Sequence, residues 1–265
     1  MDLIVKILKF VTLEVFKAVV SRRTRAIFKR EFAAYFGSPL AYVVTTVFLV
    51  ALGVFFFWGV FYQDVGWPFY LRKVANVDNL FNGSHLLFLL LIPALTMRLF
   101  AEERRSGTLE LLTTLPVRDI EIVLGKYLAA AAYLVFVLIL TLGYPIYVST
   151  LGNLDWGAVF AGYVGLVLLG LGYLAIGVFA SSLTQHQVVA FVIALFVALP
   201  FFFLHKVSFL FGMGLGNVLD YLSFRQHFDG IARGVLDSGD IIYFVGVSAV
   251  FLFLAHRLIE GRKWR

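Results

Sequence analysis

The stretch MRLFAEERRSGTLELLTTLPVRDIEIVLGK, residues 97–126, decides how this sequence folds. It lies between long apolar runs and contains ten ionisable side chains: Arg98, Glu102, Glu103, Arg104, Arg105, Glu110, Arg118, Asp119, Glu121 and Lys126. Charged groups at this density are too costly to hold in the hydrocarbon of a bilayer. The stretch therefore predicts a polar segment outside the membrane that separates two membrane-spanning helices.

The local pattern within this segment predicts a break between two helices that is filled by a third, short helix. The arriving helix should fray at Ser106 and Gly107, because glycine is costly in a helix interior. Residues 108–114 can then form about two turns, roughly 10 Å long, with Gly107 as the N-cap. Pro116 ends this short helix, because the residue before a proline is pushed out of the α region. Asp119 is a candidate cap for the next helix.

The short helix carries more apolar surface than a solvated loop requires. Leu109 and Leu112 lie on one side of it, and Leu111 and Leu115 lie on another. Such a surface is expected to dock into something, and two interpretations remain open: the leucines pack on the protein's own helix ends, or they enter a groove of a partner protein.

Composition identifies an integral membrane protein. Hydrophobic residues make up 61% of the chain and charged residues 14%, whereas soluble domains are about 25% charged. Six apolar runs are near the length of about 20 residues that crosses a bilayer: 40–62, 84–99, 127–150, 157–180, 187–205 and 240–258. The predicted fold is all-α, with six transmembrane helices, an N-terminal amphipathic interfacial helix and a short helix in the polar segment 98–126.

The distribution of basic residues orients the chain in the membrane. With the N-terminus inside, the 22 Lys and Arg residues divide into 17 inside and 5 outside. Because basic residues accumulate on the cytoplasmic side, both termini and the segment 98–126 are predicted to be cytoplasmic. The six-span domain then covers 40–258, with an outer loop at 206–239 and a basic cytoplasmic tail at 259–265.

The first 39 residues are predicted to lie at the cytoplasmic membrane surface. Residues 1–20 repeat apolar side chains at helical spacing between charges, which indicates an amphipathic interfacial helix. Residues 21–36 interleave basic and aromatic side chains, which favours contact with anionic lipids. Nucleic-acid binding is the competing interpretation, and it is disfavoured because a membrane span follows at once.

Glycines are frequent in the fourth apolar run, at 157, 162, 165, 170, 172 and 177. Small residues let helices approach closely. This pattern favours close packing within one subunit over a seam between two copies.

The sequence lacks the motifs of an enzyme or of an ion-coupled pump. It has no cysteine, no G-x-x-x-x-G-K-[ST] phosphate loop, no H-E-x-x-H and no G-x-S-x-G. Asp, Glu, Lys and Arg are absent from the interiors of the apolar runs, where Arg98, Asp240 and Arg257 stand at or next to an end, and His85, His205 and His256 fall near the boundaries. We therefore expect no metal, no cofactor and no catalytic residue, and any transport energy has to come from another chain.

Three segments resemble a known family. They are Phe100–Leu112 followed by Pro116 and Gly125-Lys126, SSLTQHQVVAF from Ser181, and FRQHFDGIARGVLDSGDIIYF from Phe224. Together they resemble ABC-2 type transporter permeases, in particular the gliding-motility-associated subfamily, from about residue 26 to 265, while the leading 25 residues depart from the family's usual start.

This resemblance implies a function and partners. It implies a bacterial inner-membrane permease that is a subunit of an exporter, that pairs with a second permease chain as a homo- or heterodimer, and that is driven by a separate ABC ATPase. The short helix would be the coupling element that sits on the ATPase. The candidate coupling residues are Glu102, Glu103, Arg105, Gly107, Thr108, Leu109, Glu110, Leu111, Leu112 and Pro116.

Within this set, the acidic residues offer charge to a basic partner, and Leu111 and Leu112 offer apolar anchors. The alternative is a non-transporting membrane scaffold that uses the same helix to hold a cytoplasmic partner. On the outer side, His227 and Arg233 are the polar candidates, and a structural role is favoured for both over substrate contact.

Overall fold

A computed structural model of the protein describes residues 18, 21–58, 76–108 and 117–261. Within these ranges the chain folds into helices without a strand, which confirms the all-α class. The helices in chain order are α1 (Arg22–Phe36), α2 (Pro39–Trp58), α3 (Asp78–Thr96), α4 (Arg98–Arg105), α5 (Asp119–Leu140), α6 (Gly143–Ser149), α7 (Trp156–Leu183), α8 (Gln187–Val207), α9 (Gly212–Tyr221), α10 (Phe224–Ala232) and α11 (Ser238–Glu260). A 3₁₀ turn, Ser208–Phe211, joins α8 to α9.

Six helical stretches are long and apolar enough to cross a membrane. They are Pro39–Trp58, Asp78–Arg105, Asp119–Ser149, Trp156–Leu183, Gln187–Phe211 and Ser238–Glu260. Each contains one of the six predicted runs or most of it, so six candidate spans are confirmed among the described residues. The second span is longer than its apolar run, because α4 carries it on into the charged residues that follow.

Helix α7 lies at the centre of the bundle and packs against α3, α4, α5, α8, α10 and α11. Its glycines permit these contacts. A Cβ atom added at Gly162 would overlap the ring of Phe81 on α3, and one at Gly170 would overlap Leu134 on α5. The predicted close packing of this helix within one subunit is therefore confirmed.

The expectation that His85 lies near a span boundary is wrong. Helix α3 begins at Asp78, ahead of the apolar run, so His85 lies about two turns inside the helix and is 2% exposed. Its Nε2 atom lies 3.3 Å from the Tyr173 hydroxyl, and the rings of Phe202 and Phe228 pack beside it. The side chain is part of the bundle core.

The N-terminal segment and the connection before the last span differ in how much of each is described. The predicted amphipathic helix over 1–20 lies outside the described residues except for Ala18, which is helical and buried. The long connection before the last span contains the 3₁₀ turn, α9 and α10.

The contact between Gly177 and Thr96 gives a test of the packing. A Cβ atom at Gly177 would overlap Thr96 Oγ1 and lie 2.8 Å from Thr96 Cβ, so rotation of the threonine cannot relieve the clash. We expect Gly177→Ala to destabilise the protein by about 1–3 kcal/mol through overpacking. Thermal unfolding in mild detergent measures the effect.

Gly246→Ala is the matched control, because a Cβ atom there meets nothing within 4 Å and Gly246 lies inside α11. Alanine is favoured over glycine in a helix by roughly 0.5–1 kcal/mol, so this variant should unfold at the parent temperature or slightly above it. Equal destabilisation by both substitutions would contradict the proposed packing of α7.

Candidate functional site

The candidate coupling segment begins where α4 ends. Helix α4 stops at Arg105, and the amide of Ser106 still donates to the Glu102 carbonyl at 3.0 Å. Gly107 follows with φ of 72°, a left-handed conformation that glycine adopts without steric cost. The predicted helix end at Ser106 and Gly107 is confirmed.

A cluster of charged side chains around the buried Lys126 ties the C-terminal half of α4 to two other helices. The Lys126 ammonium on α5 lies 2.9 Å from Glu103 Oε1 on α4 and 3.1 Å from Glu31 Oε1 on α1, and its side chain is 1% exposed. Arg30 donates to the same two carboxylates, at 2.6 Å to Glu31 and 3.0 Å to Glu103. A buried ammonium is tolerated only when it is paired in this way.

Helix α1 lies alongside the first turns of α5, in the same direction. Ile27 occupies the space above Gly125, where a Cβ atom would come within 2.7 Å of Ile27 Cγ2. Further along both helices, the rings of Tyr35 and Tyr133 stack with centroids 4.7 Å apart. Contacts at both ends fix the register of the two helices and bring Glu31 to Lys126.

The start of α5 differs from the prediction. Asp119 was expected to cap this helix, but the helix already includes Asp119, and Arg118 is the N-cap residue. The Arg118 amide donates to Glu121 Oε2 at 3.0 Å, and that oxygen also lies 3.9 Å from Arg23 of α1. The prediction for Asp119 was wrong by one residue, and Glu121 satisfies the helix end instead.

Arg98 joins the start of α4 to the turn between α1 and α2. Its guanidinium donates to Ser38 Oγ and to the Ala34 carbonyl, and it lies 5.3 Å from the centroid of the Tyr35 ring. The Tyr35 hydroxyl donates to the Leu95 carbonyl at 3.3 Å. Burial raises the pKa of this phenol above its usual value, so the group remains a donor.

The pKa values of Glu31 and Arg30 are shifted by the opposite charges beside them. Burial opposes ionisation of Glu31, but the attraction of Lys126 and hydrogen bonds from Arg30 and Lys126 outweigh it and lower the pKa of this carboxyl. Burial likewise opposes the Arg30 cation, and the contacts with Glu31 and Glu103 outweigh it and raise its pKa. Glu31 and Arg30 are therefore both charged at neutral pH.

The candidate coupling residues fall into three groups. Glu102, Arg105, Gly107 and Thr108 are exposed around the end of α4. Glu103 instead points inward to Lys126 and Arg30. Leu109, Glu110, Leu111, Leu112 and Pro116, and with them most of the predicted short helix, lie outside the described residues.

A cavity of about 610 Å³ opens beside the exposed group, between α1 and α4. Glu102, Ser106 and Thr108 line one side of it, and Arg98 and Lys126 lie deeper. The surface around the end of α4 is thus concave and charged.

The two polar candidates before the last span, His227 and Arg233, are held by other groups of the protein. His227 is 5% exposed; its Nδ1 atom lies 2.7 Å from Asp240 Oδ1, its Nε2 atom lies 2.9 Å from the Tyr221 carbonyl, and its ring stacks on Tyr243. Arg233 donates to the Asp229 carbonyl at 3.2 Å. These contacts agree with the structural roles that were favoured for both residues.

The comparison with known families agrees with this structure, in which six apolar helices adjoin the charged cluster around Lys126. A family model described as ABC-2 family transporter protein matches residues 72–256, well over half of the chain. The chain belongs to the ABC-2 transporter family. It is therefore a membrane transport component, and family membership implies an ABC ATPase as its partner in general terms. The match leaves α1 and α2 outside it, and no curated protein matches the chain.

Sequence reasoning identified Glu103 and Lys126 as members of a charged segment but missed their pairing with Arg30 and Glu31. One signal was present in the sequence: Glu31 is the single acid among the five bases of residues 21–36. A lone acid in a basic helix that packs on another helix is a candidate partner for a buried cation. The sequence does not show which cation that would be.

The lowered pKa of Glu31 predicts how stability depends on pH. A carboxyl whose pKa is depressed by folding stabilises the protein above its ordinary pKa, and this contribution is lost as the pH falls through the folded value. The ordinary value is 4.5. We expect Glu31→Gln to unfold at a lower temperature than the parent at pH 7.

The difference between the two proteins should then shrink as the pH falls below 4.5. Thermal unfolding of parent and variant between neutral pH and the lowest pH at which both stay soluble measures it. A difference that stays constant over that range would show that the ionised carboxylate does not stabilise the fold.

Proposed function

We propose that this chain is the permease subunit of an ATP-driven exporter and that residues 98–126 couple it to a separate ABC ATPase. The observation that carries the proposal is the buried contact of Lys126 with Glu103, which joins the helix entering the coupling segment to the helix leaving it. Because both helices continue into membrane spans, a force on residues 108–116 acts on spans two and three together.

The contacts of Arg98, Glu31 and Lys126 support this coupling role. Arg98 holds the start of α4 against the turn before α2, and Glu31 holds α1 to α5 through Lys126. Four elements are thus linked at the cytoplasmic ends of the first three spans. Gly107 lies just beyond this linked region, where the backbone leaves α4 and turns into the coupling segment.

Exposed and inward residues have different roles in this proposal. Glu102 and Arg105 are exposed and offer charges to the ATPase surface, while Leu111 and Leu112 supply the apolar anchors. Glu103 already has two cationic partners inside the chain, so its role is to position α4. Anchors of this kind carry most of the binding energy of an interface, whereas charges at its rim mainly tune rate and specificity.

Two permease chains are expected in the working complex, as a homo- or heterodimer. Helices α2 and α8 are the least buried of the six spans, and they flank an apolar groove of about 340 Å³ that is lined by Val47, Leu91 and Phe191 among others. We place the second chain on this face and membrane lipids on the remaining apolar surface. Light scattering of the purified complex reports the number of chains.

Cellular location and subfamily follow from the resemblance and the charge bias. We propose a multi-pass protein of the bacterial inner membrane with both termini in the cytoplasm. The resemblance of the segments from Phe100, Ser181 and Phe224 supports outward transport and a place among the gliding-motility-associated permeases.

The docking role is tested by truncating the anchors. Changing both Leu111 and Leu112 to alanine should weaken binding of the ABC ATPase that co-purifies with the chain by about 2–4 kcal/mol. Glu110→Ala should have a smaller effect, since a charge at the rim of an interface contributes little to affinity. Binding of ATPase to immobilised permease in detergent measures both variants.

Two outcomes would count against the docking proposal. Unchanged affinity of the double variant would remove the short helix from the interface. If the ATPase binds but its ATP hydrolysis is unaffected by the permease in vesicles, the chain is a membrane scaffold rather than a transporter.

The orientation is tested by labelling single cysteines, because the natural chain has none. Cysteines in place of Ser106 and Ser238 should react from opposite sides of the membrane, since the 17-to-5 bias of basic residues puts residues 98–126 inside. In intact cells an impermeant maleimide should label the cysteine at 238. Reaction at 106 under the same conditions would reverse the topology.

A further inference from the structure

The second span passes from α3 to α4 at its cytoplasmic end. Helix α3 ends at Thr96 and α4 begins at Arg98, and Met97 between them keeps helical backbone angles, with φ of −53° and ψ of −30°. The amides in the first turn of a helix lack carbonyl partners within that helix. In this joint, two of them belong to Phe100 and Ala101, both of which are 0% exposed.

A single side chain from another span satisfies these amides. The Oγ atom of Ser181, near the end of α7, accepts from the Phe100 amide at 2.9 Å and from the Ala101 amide at 3.2 Å. The same hydroxyl donates to the Met97 carbonyl at 3.0 Å. One oxygen of span four therefore bonds to the residue between the two helices and to the first turn of α4.

The contact is reinforced one turn earlier on the same face of α7. Gly177 allows the backbone of α7 to reach the last residue of α3, Thr96, whose hydroxyl donates to the Ile92 carbonyl at 2.9 Å. Gly177 thus contacts the end of α3, and Ser181 contacts the beginning of α4. The joint contacts α7 on both sides of Met97, by packing at Gly177 and by hydrogen bonds at Ser181.

We propose that Ser181 is a positioning residue for energy coupling, which fixes the joint at Met97 so that movement of α4 is transmitted to α7. Without the three hydrogen bonds, a force on α4 would be absorbed by bending at Met97. With them, the packing of α4 against α7 is held in place and the force reaches this central helix, which also packs against five other helices. This inference rests on the proposed function in one respect, namely that α4 carries the coupling segment.

The neighbouring residue provides a matched control. Ser182 is also 0% exposed, and its hydroxyl donates to the Phe179 carbonyl within α7 at 2.7 Å. Ser182→Ala removes an equally buried hydroxyl and leaves the joint intact. A general effect of losing a buried hydroxyl would appear in both variants, whereas loss of the joint would appear only in Ser181→Ala.

The first experiment uses the permease alone in lipid nanodiscs. Spin labels on cysteines that replace Ser106, beyond α4, and Gln185, beyond α7, report the distance between the two helix ends. Pulsed electron paramagnetic resonance should give one narrow distribution for the parent and for Ser182→Ala, and a broader one for Ser181→Ala. Hydrogen exchange of the Phe100 and Ala101 amides should become about tenfold faster in Ser181→Ala alone.

Ser181→Thr keeps the hydroxyl and should restore the parent distance distribution and exchange rates. The proposal is overturned if Ser181→Ala matches the parent in both measurements, or if Ser182→Ala changes them to the same extent.

The second experiment adds the ATPase. With labels at Ser106 and at Phe160, which is exposed near the other end of α7, ATP should change the distance in the parent and in Ser182→Ala. Ser181→Ala should bind the ATPase as tightly as the parent but lose most of this change. An undiminished change in Ser181→Ala would refute the positioning role. If the parent binds no ATPase, the proposed function fails, while the nanodisc experiment still decides whether Ser181 fixes the joint.

Discussion

The packing of α1, α4 and α5 depends on one buried cation, Lys126, held between Glu31 and Glu103. Removing an ammonium group from water is costly, and the cost is recovered only if carboxylates approach it closely. The two carboxylates come from α1 and α4, and the lysine comes from α5. Three helices must therefore keep their positions for this charge to be tolerated.

The surrounding contacts follow from this requirement. Gly125, next to the lysine, has no side chain and lets Ile27 approach, which brings α1 close enough for Glu31 to reach the ammonium. Arg30 bonds to both carboxylates and offsets their mutual repulsion. The cluster around Lys126 is consequently a unit in which α4 is fixed at Glu103, while Gly107 and Thr108 beyond the end of α4 are exposed. This division between a fixed helix and a docking segment is what the proposed coupling requires.

Much of the architecture could be predicted from the sequence, because the signals are local. The six apolar runs predicted the candidate spans, Gly107 predicted the end of α4, and the glycines of α7 predicted its close packing. The charge pairing could not be predicted, because residues 31, 103 and 126 meet only through packing between separate helices. The role of Ser181 could not be predicted for the same reason. Its hydroxyl bonds to amides that a sequence pattern assigns to a continuous helix. His85 was misplaced because α3 begins before its apolar run does.

A double-mutant cycle between Lys126 and Glu103 tests this account most directly. Lys126→Met, Glu103→Gln and the double variant are compared with the parent by their free energies of unfolding in detergent. Lys126→Met alone should cost about 3 kcal/mol, because Glu31 and Glu103 then lose the cation buried between them. The account predicts an interaction energy of at least about 1 kcal/mol between the two sites, since they are in direct contact. Additive effects would show that the two side chains do not act together and that α4 is not fixed to α5 by this pair.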